Sequence, residues 1–344
     1  MAVSIKDIAR ELKISPSTVS RVMNNSGNIS EETTRRVMEI ARRMNYVPNK
    51  IARSLKGSRT MTIGVIIPDI TEIFFAKIVR GIDQSLSANG YNILLCDSNE
   101  DEEKERSYVH LLYENQVDGI VVATVQKKFD QDSQLINGPK PVIYIDNLPD
   151  CNAGFNAVNL DNVKASIMAV DHLVDNGHTR IAAIMGKQDE TTGFDRYVGF
   201  QKGLSRHGIS LDPALVRFGD FKEQSGYDAI YDLMNSGEKF TAVYCSSSKM
   251  TYGALQALRS LQMKIPEDIS LMGFDVYDDY GLLHPGITTI VQPEEKIGKL
   301  AANTLLKLIE SSEEGVYQRL SLEPNLLVRE SVKKIGTSMT TSLN

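Results

Sequence analysis

From Met61 onward the chain alternates short apolar runs with helical stretches, and this alternation constrains its fold more than any other feature. The runs Thr62–Pro68, Tyr91–Asp97, Val117–Thr124, Pro141–Asp146, Arg180–Gly186, Thr241–Ser247 and Ile269–Asp275 read as strands buried on both faces. Between them Phe74–Asn89, Asp161–Asn176 and Gly193–His207 carry helical periodicity. Each is followed by a glycine (Gly90, Gly177, Gly208) at the position where a left-handed residue ends a helix. Such alternation predicts doubly wound parallel sheets with helices on both faces. Seven units exceed one small sheet, and the Leu148–Asn159 stretch, rich in Pro, Asn and Gly, falls near their middle. Two α/β lobes are therefore expected across residues 60–333, with 334–344 as a flexible tail.

In sheets of this kind ligands sit beyond the carboxyl ends of the strands. Here those ends carry Asp69, Asp97, Asp146, Gly186, Ser247 and Asp275, so a cleft between the lobes is the expected pocket. No GxxxxGK[ST] or GxGxxG follows a strand and no GxSxG occurs, which removes the phosphate-loop, dinucleotide and hydrolase readings. The strand-end acids lack a histidine or cysteine in the corresponding loops to complete a nucleophile and base, so no catalytic residue is assigned. Cys96, Cys151 and Cys245 are odd in number and far apart, and the five histidines are scattered without an HExxH. No disulfide, metal site or cofactor is expected.

Residues 1–47 have a different character. Ser15 is placed to cap a short helix, and Pro16 loses nothing at the first helical position, where its missing donor has no partner in any case. Val19, Val22 and Met23 form one apolar stripe, leaving Ser17, Thr18, Ser20 and Arg21 on the other faces. Short hydroxyls and an arginine suit base edges and phosphates. Upstream, Ser4-Ile5-Lys6-Asp7 has capping-box spacing ahead of Ile8, Ala9 and Leu12. A third helix starts at Ser30, with Glu31 and Glu32 in its first turn, and presents Val37, Ile40, Ala41 and Met44 inward. The result is an all-α helix-turn-helix head whose second helix lies in the major groove of DNA. Its candidate DNA contacts are Ser15, Pro16, Ser17, Thr18, Ser20, Arg21 and Asn24.

Charge supports a polyanionic partner for the head alone. Residues 1–59 hold 12 Lys and Arg against 5 Asp and Glu, a net +7, so the formal −6 of the whole chain leaves −13 on the other 285 residues. Residues 48–59 join head to core. Pro48 opens the stretch and Gly57 closes it, with only Ile51, Ala52 and Leu55 as a thin apolar stripe. It is either a plain linker or a hinge helix that orders on DNA, with Asn49, Ala52 and Leu55 as contacts and Leu55 as a minor-groove wedge. No N-terminal apolar signal core is present, and no run approaches the roughly 18 apolar residues of a membrane span, so a cytoplasmic protein without a membrane partner is expected.

Val3-Ser4-Ile5-Lys6-Asp7-Ile8-Ala9 and Ser15-Pro16-Ser17-Thr18-Val19-Ser20-Arg21-Val22-Met23-Asn24 together resemble the head of the LacI/GalR family of bacterial transcriptional regulators. Tyr46-Val47-Pro48-Asn49 with Ala52-Arg53-Ser54-Leu55 resembles the family's hinge. Gly64-Val65-Ile66-Ile67-Pro68-Asp69, Gly273-Phe274-Asp275, Thr288-Thr289-Ile290 and Gln292-Pro293 extend the resemblance to about residue 332. It implies a homodimer, or a tetramer, whose heads bind double-stranded operator DNA, and a two-lobed periplasmic-binding-protein-like core that takes a small effector, usually a sugar or its derivative. Carried over by position, the effector contacts are Asp69, Phe74 and Phe75 from one lobe and Arg196, Phe221 and Asp275 from the other. The family prior is repression of a carbohydrate operon with release by inducer; a corepressed or coregulator-assisted member, and an enzyme on the same fold, are the alternatives.

Three positions depart from the family pattern. Lys13 stands where many members have glycine in the turn, Glu72-Ile73 replaces a frequent Asn-Pro, and Ser247-Ser248-Lys249 replaces a Ser-Asp or Asn-Asp. The last exchange loses an acid and gains a cation at the start of a helix. Ser247 and Lys249 are therefore added to the effector contacts, and a sugar phosphate or sugar acid is expected beside a neutral sugar.

Overall fold

The computed structural model describes residues 3–23, 27–46, 59–126, 129, 133–151, 153–311 and 317–336. The chain divides into two compact units, Met1–Thr60 and Met61–Asn344.

The first unit is three helices: α1 (Ile5–Leu12), α2 (Pro16–Met23) and α3 (Glu31–Arg43). Helix α1 starts as its spacing predicts, with the Ser4 backbone N–H and hydroxyl both donating to Asp7 Oδ2 at 2.9 and 2.6 Å. It stops at Lys13, whose φ of 55° is left-handed, and Ile14 N then donates to Ala9 O. Helix α2 starts at Ser15, whose Oγ accepts from Thr18 N at 3.1 Å. Ile8, Ala9, Val19, Val22, Val37 and Ala41 form a small buried core. Each fully buried aliphatic side chain of this kind contributes about 1.5–3 kcal/mol, which three short helices could not supply separately. Ile40 and Met44 pack at its margin.

The second unit contains two six-stranded sheets. In chain order its elements are β1 (Thr62–Ile67), α4 (Ile73–Ala88), β2 (Asn92–Asp97), α5 (Glu102–Glu114), β3 (Gly119–Val122), α6 (Gln134–Asn137), β4 (Val142–Ile145), β5 (Asn156–Leu160), α7 (Asn162–Asp175), β6 (Ile181–Met185), α8 (Thr191–Arg206), β7 (Val216–Phe218), α9 (Glu223–Asn235), β8 (Ala242–Cys245), α10 (Ser248–Ser260), β9 (Ser270–Phe274), β10 (Thr288–Val291), α11 (Glu294–Glu310), β11 (Arg319–Leu322) and β12 (Asn325–Leu327). The sheet orders are β11-β5-β4-β3-β1-β2 and β12-β10-β9-β8-β6-β7. Pairing is parallel except between β10 and β12. Strands such as β1, with Ile63–Ile67 all buried, are covered on both faces, which is why they read as unbroken apolar runs. Gly90, Gly177 and Gly208 have φ of 77°, 90° and 69°, the left-handed turns expected of them.

Two expectations change. The Leu148–Asn159 stretch does not divide the lobes, because its last four residues open β5, which pairs with β4 in the first sheet. The strand was hidden by Asn156 and Asn159, polar residues in a segment whose Ala157, Val158 and Leu160 are buried. The chain crosses to the second lobe after β5, returns after β10 so that α11 packs on the first lobe, and crosses again between β11 and β12. Helices α4 and α11 touch backbone to backbone: a Cβ at Gly81 would lie 2.3 Å from Glu295 O, and one at Gly298 would lie 2.1 Å from Ile78 O. The expected tail also begins too early, since Ile335 N donates to Asn176 O at 2.8 Å and holds residues up to that point on the second lobe. The remainder of 334–344 beyond Gly336 lies outside the described residues.

Candidate functional site

The head presents α2 as the sequence arranges it. Val19 and Val22 point into the core, while Ser15, Pro16, Ser17 and Arg21 are exposed and Thr18 and Ser20 are half-buried. The Ser15 hydroxyl lies 2.7 Å from Ser17 Oγ and 2.8 Å from Thr18 Oγ1, so three hydroxyls form one cluster at the helix N-terminus. That end of a helix favours an anion, because its first N–H groups point outward along the dipole. Asn24, Asn49, Ala52 and Leu55 lie outside the described residues.

The core holds a cavity of about 760 Å³, part of it open to solvent, between the carboxyl ends of the strands of both sheets. Asp69, Phe74, Phe75, Arg196, Phe221, Ser247 and Asp275 line it. Phe74 and Phe75 also belong to the first lobe's core, edge to face at 5.0 Å between centroids. Phe221 has a φ of 69°, and its ring occupies the space where a Cβ on Gly186 would stand, 2.0 Å from Cε1. Glycine at that strand end is what lets the ring reach the cleft.

Arg196, on α8, is 5% exposed and fully directed: Nε donates to Asn162 Oδ1 at 2.8 Å, an Nη donates to Ser246 O at 2.7 Å, and the guanidinium lies 3.7 Å from the Phe274 ring centre. Asp275 accepts from Gln292 N at 3.0 Å and Gln292 Nε2 at 2.7 Å. Burial pushes its carboxyl up to about 7, against the pull of Gln292 and Arg196. Asp146, a strand-end acid not assigned to the site from sequence, also lines the cavity. Burial raises it to about 6, Arg196 opposes this, and Glu190 and Glu72 add to it. Two carboxyls poised near neutrality beside one guanidinium make a set of acceptors and donors suited to hydroxyl groups over aromatic faces.

Lys249 is placed differently from its expected role. It does not line the cavity; its ammonium pairs with Asp69 Oδ2 at 2.8 Å and Glu72 Oε1 at 3.0 Å. Burial works against both charges of the first pair, yet their mutual hydrogen bond helps raise Lys249 and lower Asp69. Ser247 caps α10, its Oγ accepting from Met250 N at 3.3 Å. The cation expected to receive a phosphate or carboxylate is thus neutralised by two acids that the sequence placed 180 and 177 residues away. Asp69 is equally occupied, because its other oxygen accepts from Thr71 N and Thr71 Oγ1 at 2.8 and 2.6 Å.

Sequence reasoning missed Asn147, Lys187, Glu190, Thr192 and Gln292, which also line the cavity. Asn147 Nδ2 donates to Glu190 Oε2, and its Oδ1 accepts from Thr192 N and Oγ1, joining the two lobes. Gln292 had a signal, since it directly follows the β10 strand. Asn147, Lys187 and Glu190 sit in loops and Thr192 in the first turn of α8, and their partners are set only by the approach of the two lobes. Among the described residues no three His, Cys, Asp or Glu side chains are grouped to hold a metal.

A basic three-helix head with an outward hydroxyl and arginine surface, carried on a two-lobed core with a polar cleft, defines a ligand-responsive DNA-binding regulator. Residues 4–49 match the bacterial regulatory proteins of the lacI family, and residues 60–326 match the periplasmic binding proteins and sugar binding domain of the LacI family. The chain belongs to the LacI family of transcriptional regulators. It is 37% identical over 332 residues to the HTH-type transcriptional regulator RegA of Clostridium saccharobutylicum, covering 96% of this chain and 99% of the relative. Its structure is similar to that of the Lac repressor dimer bound to operator and the anti-inducer ONPF, with a TM-score of 0.84, 26% identity and coverage of 97% and 100%. It is also similar to a transcriptional regulator CelR in complex with cellobiose, with a TM-score of 0.71, 29% identity and coverage of 96% and 99%.

Proposed function

We propose that this protein is a cytoplasmic, homodimeric repressor of a carbohydrate-utilisation operon, released from its operator when a neutral sugar binds between the lobes. The observation that carries the effector reading is the cleft's chemistry: Asp146, Asp275, Arg196 and Gln292 arranged around Phe74, Phe221 and Phe274. Six acids (Asp69, Glu72, Glu100, Asp146, Glu190, Asp275) line the cavity with Lys187 and Arg196, and Lys249 beside it is already paired with Asp69 and Glu72, an arrangement that leaves no unpaired ammonium for an anion and offers acceptors to hydroxyl donors. The repressor and operator reading draws on the similarity to the Lac repressor, and the sugar reading on the CelR–cellobiose complex.

A second copy has apolar surface to cover, since Tyr280 and Leu282 are 88% and 76% exposed. No helix among the described residues is long and apolar enough to cross a membrane. The LacI family is made up of transcriptional regulators rather than enzymes, which supports a protein that acts by binding. A thermal-shift screen of neutral sugars and their phosphates tests the reading. A binder at about 100 times its dissociation constant adds about 2.7 kcal/mol of stability. The expected result is a shift with a neutral sugar that also lowers operator retention in a gel-shift assay. A shift confined to phosphorylated or carboxylated sugars would overturn it.

A further inference from the structure

Beside the Asn147 bonds to Glu190 and Thr192, the ion pairs across the mouth of the cleft are sorted by charge. The first lobe contributes Asp69, Glu72 and Glu100; the second contributes Lys187, Lys222 and Lys249. Lys249 reaches both Asp69 and Glu72, while Glu100 lies 3.3 Å from Lys187 and 3.8 Å from Lys222. Lys249 is in the first turn of α10, a turn fixed by Ser247 Oγ on Met250 N and by Thr251 Oγ1 donating to Ser247 O at 2.6 Å. Its side chain is 33% exposed and those of Asp69 and Glu72 are 21% and 20% exposed, so the pairs are partly desolvated and stronger than open surface pairs. Behind them, burial raises the Asp146 carboxyl of the first lobe, and the charges of Glu190 of the second lobe and Glu72 of the first add to that rise. With Lys249 removed, Asp69 and Glu72 lose the cation that faces them across the gap, while Glu100 keeps Lys187 and Lys222.

We propose that Lys249 is a clasp that holds the ligand-free cleft shut, so that this protein rests closed and its effector enters only when the Lys249 pairs to Asp69 and Glu72 break. The Lys249 contribution to closure is electrostatic, so rising ionic strength weakens it and shifts the core toward an open form. This deepens the effector reading and rests on it for its regulatory meaning.

The test is a distance measurement on the full chain with no effector present. Spin labels are placed at Asp83→Cys on α4 and Lys202→Cys on α8, both exposed and on different lobes, in a Cys151→Ser background. Labelled subunits are diluted in unlabelled protein so that only distances within one chain are read. In about 0.05 M salt the unmodified clasp gives one short distance, and Lys249→Met adds a longer population. About 1 M NaCl, where screening acts over about 3 Å, produces the same longer population in the clasped protein. Asp69→Asn combined with Glu72→Gln removes the partners, keeps the lysine and gives the same shift, which carries the test if Lys249→Met does not fold. Identical distributions for all of these at low salt overturn the clasp and leave the effector reading standing; absence of any sugar-induced shift in the thermal screen overturns the effector reading and leaves the clasp standing.

Discussion

Asp146 and Asp275 stand at equivalent places in the two lobes. Each follows the third strand of its six-stranded sheet, β4 or β9, each has a left-handed backbone, with φ of 60° and 51°, and each lines the same cavity. A non-glycine residue held left-handed costs of order 1 kcal/mol, and such strain persists where the surrounding structure imposes it, most often at functional sites. The repeated strand-end aspartate gives the cleft one carboxyl from each side, and the Arg196 charge favours the ionised form of both.

The first prediction concerns pH. The Asp275 carboxyl is raised from 3.8 to about 7 in the folded protein, so between those values the folded state holds a proton that the unfolded state has released. Stability therefore falls as pH rises across that window and levels off above it. Asp275→Asn should lessen this fall, leaving the smaller part due to Asp146, which is raised to about 6. Urea midpoints for both proteins at about pH 4.5 and about pH 7.5 check it, and equal slopes would remove Asp275 from the account.

Operator binding should weaken steeply with salt, by roughly 10³ or more between about 50 and 200 mM if six or more phosphates are neutralised by the basic head. Arg21 is exposed on the outer surface of α2. Arg21→Ala should weaken binding and relax preference at one base pair by about 1–3 kcal/mol if it reads a guanine edge. Equal weakening on every sequence would reassign it to a phosphate.

Lys13 is left-handed at the turn between α1 and α2. Replacing it with glycine removes the Cβ conflict and should stabilise the head by about 1 kcal/mol. In hydrogen exchange on the whole chain, amides of α1 to α3 should then exchange roughly fivefold more slowly. Unchanged or faster exchange would show that the turn carries no such strain.

Gly186→Ala would bring a methyl group to 2.0 Å from the Phe221 ring, and the ring must turn out of the cleft. Overpacking of this kind costs about 1–3 kcal/mol. The thermal shift induced by the sugar should shrink while operator affinity without sugar stays the same. Full retention of the shift would show that Phe221 makes no contact with the effector.

What the sequence determines here is local. The caps at Ser4, Ser15 and Ser30, the glycine stops at Gly90, Gly177 and Gly208, and the all-apolar β strands follow from backbone hydrogen bonding, φ preference and burial within about twenty residues. These elements announced two α/β lobes, a helical head and a cleft at the strand ends. Phe74, Phe75, Phe221 and Arg196 are reached only by position, through the resemblance to the family, since no period or spacing of their own marks them. Tertiary structure decided the rest. The sheet order, the return of α11 to the first lobe and the late strands β11 and β12 depend on chain crossings that no local period encodes. Lys249 is the clearest case: a lysine at a helix start reads as an anion site or a solvent-facing charge. Its role is set instead by two carboxylates from the other lobe, brought within 3.0 Å only when both sheets are complete, because ion pairing depends on distance through space and not along the chain.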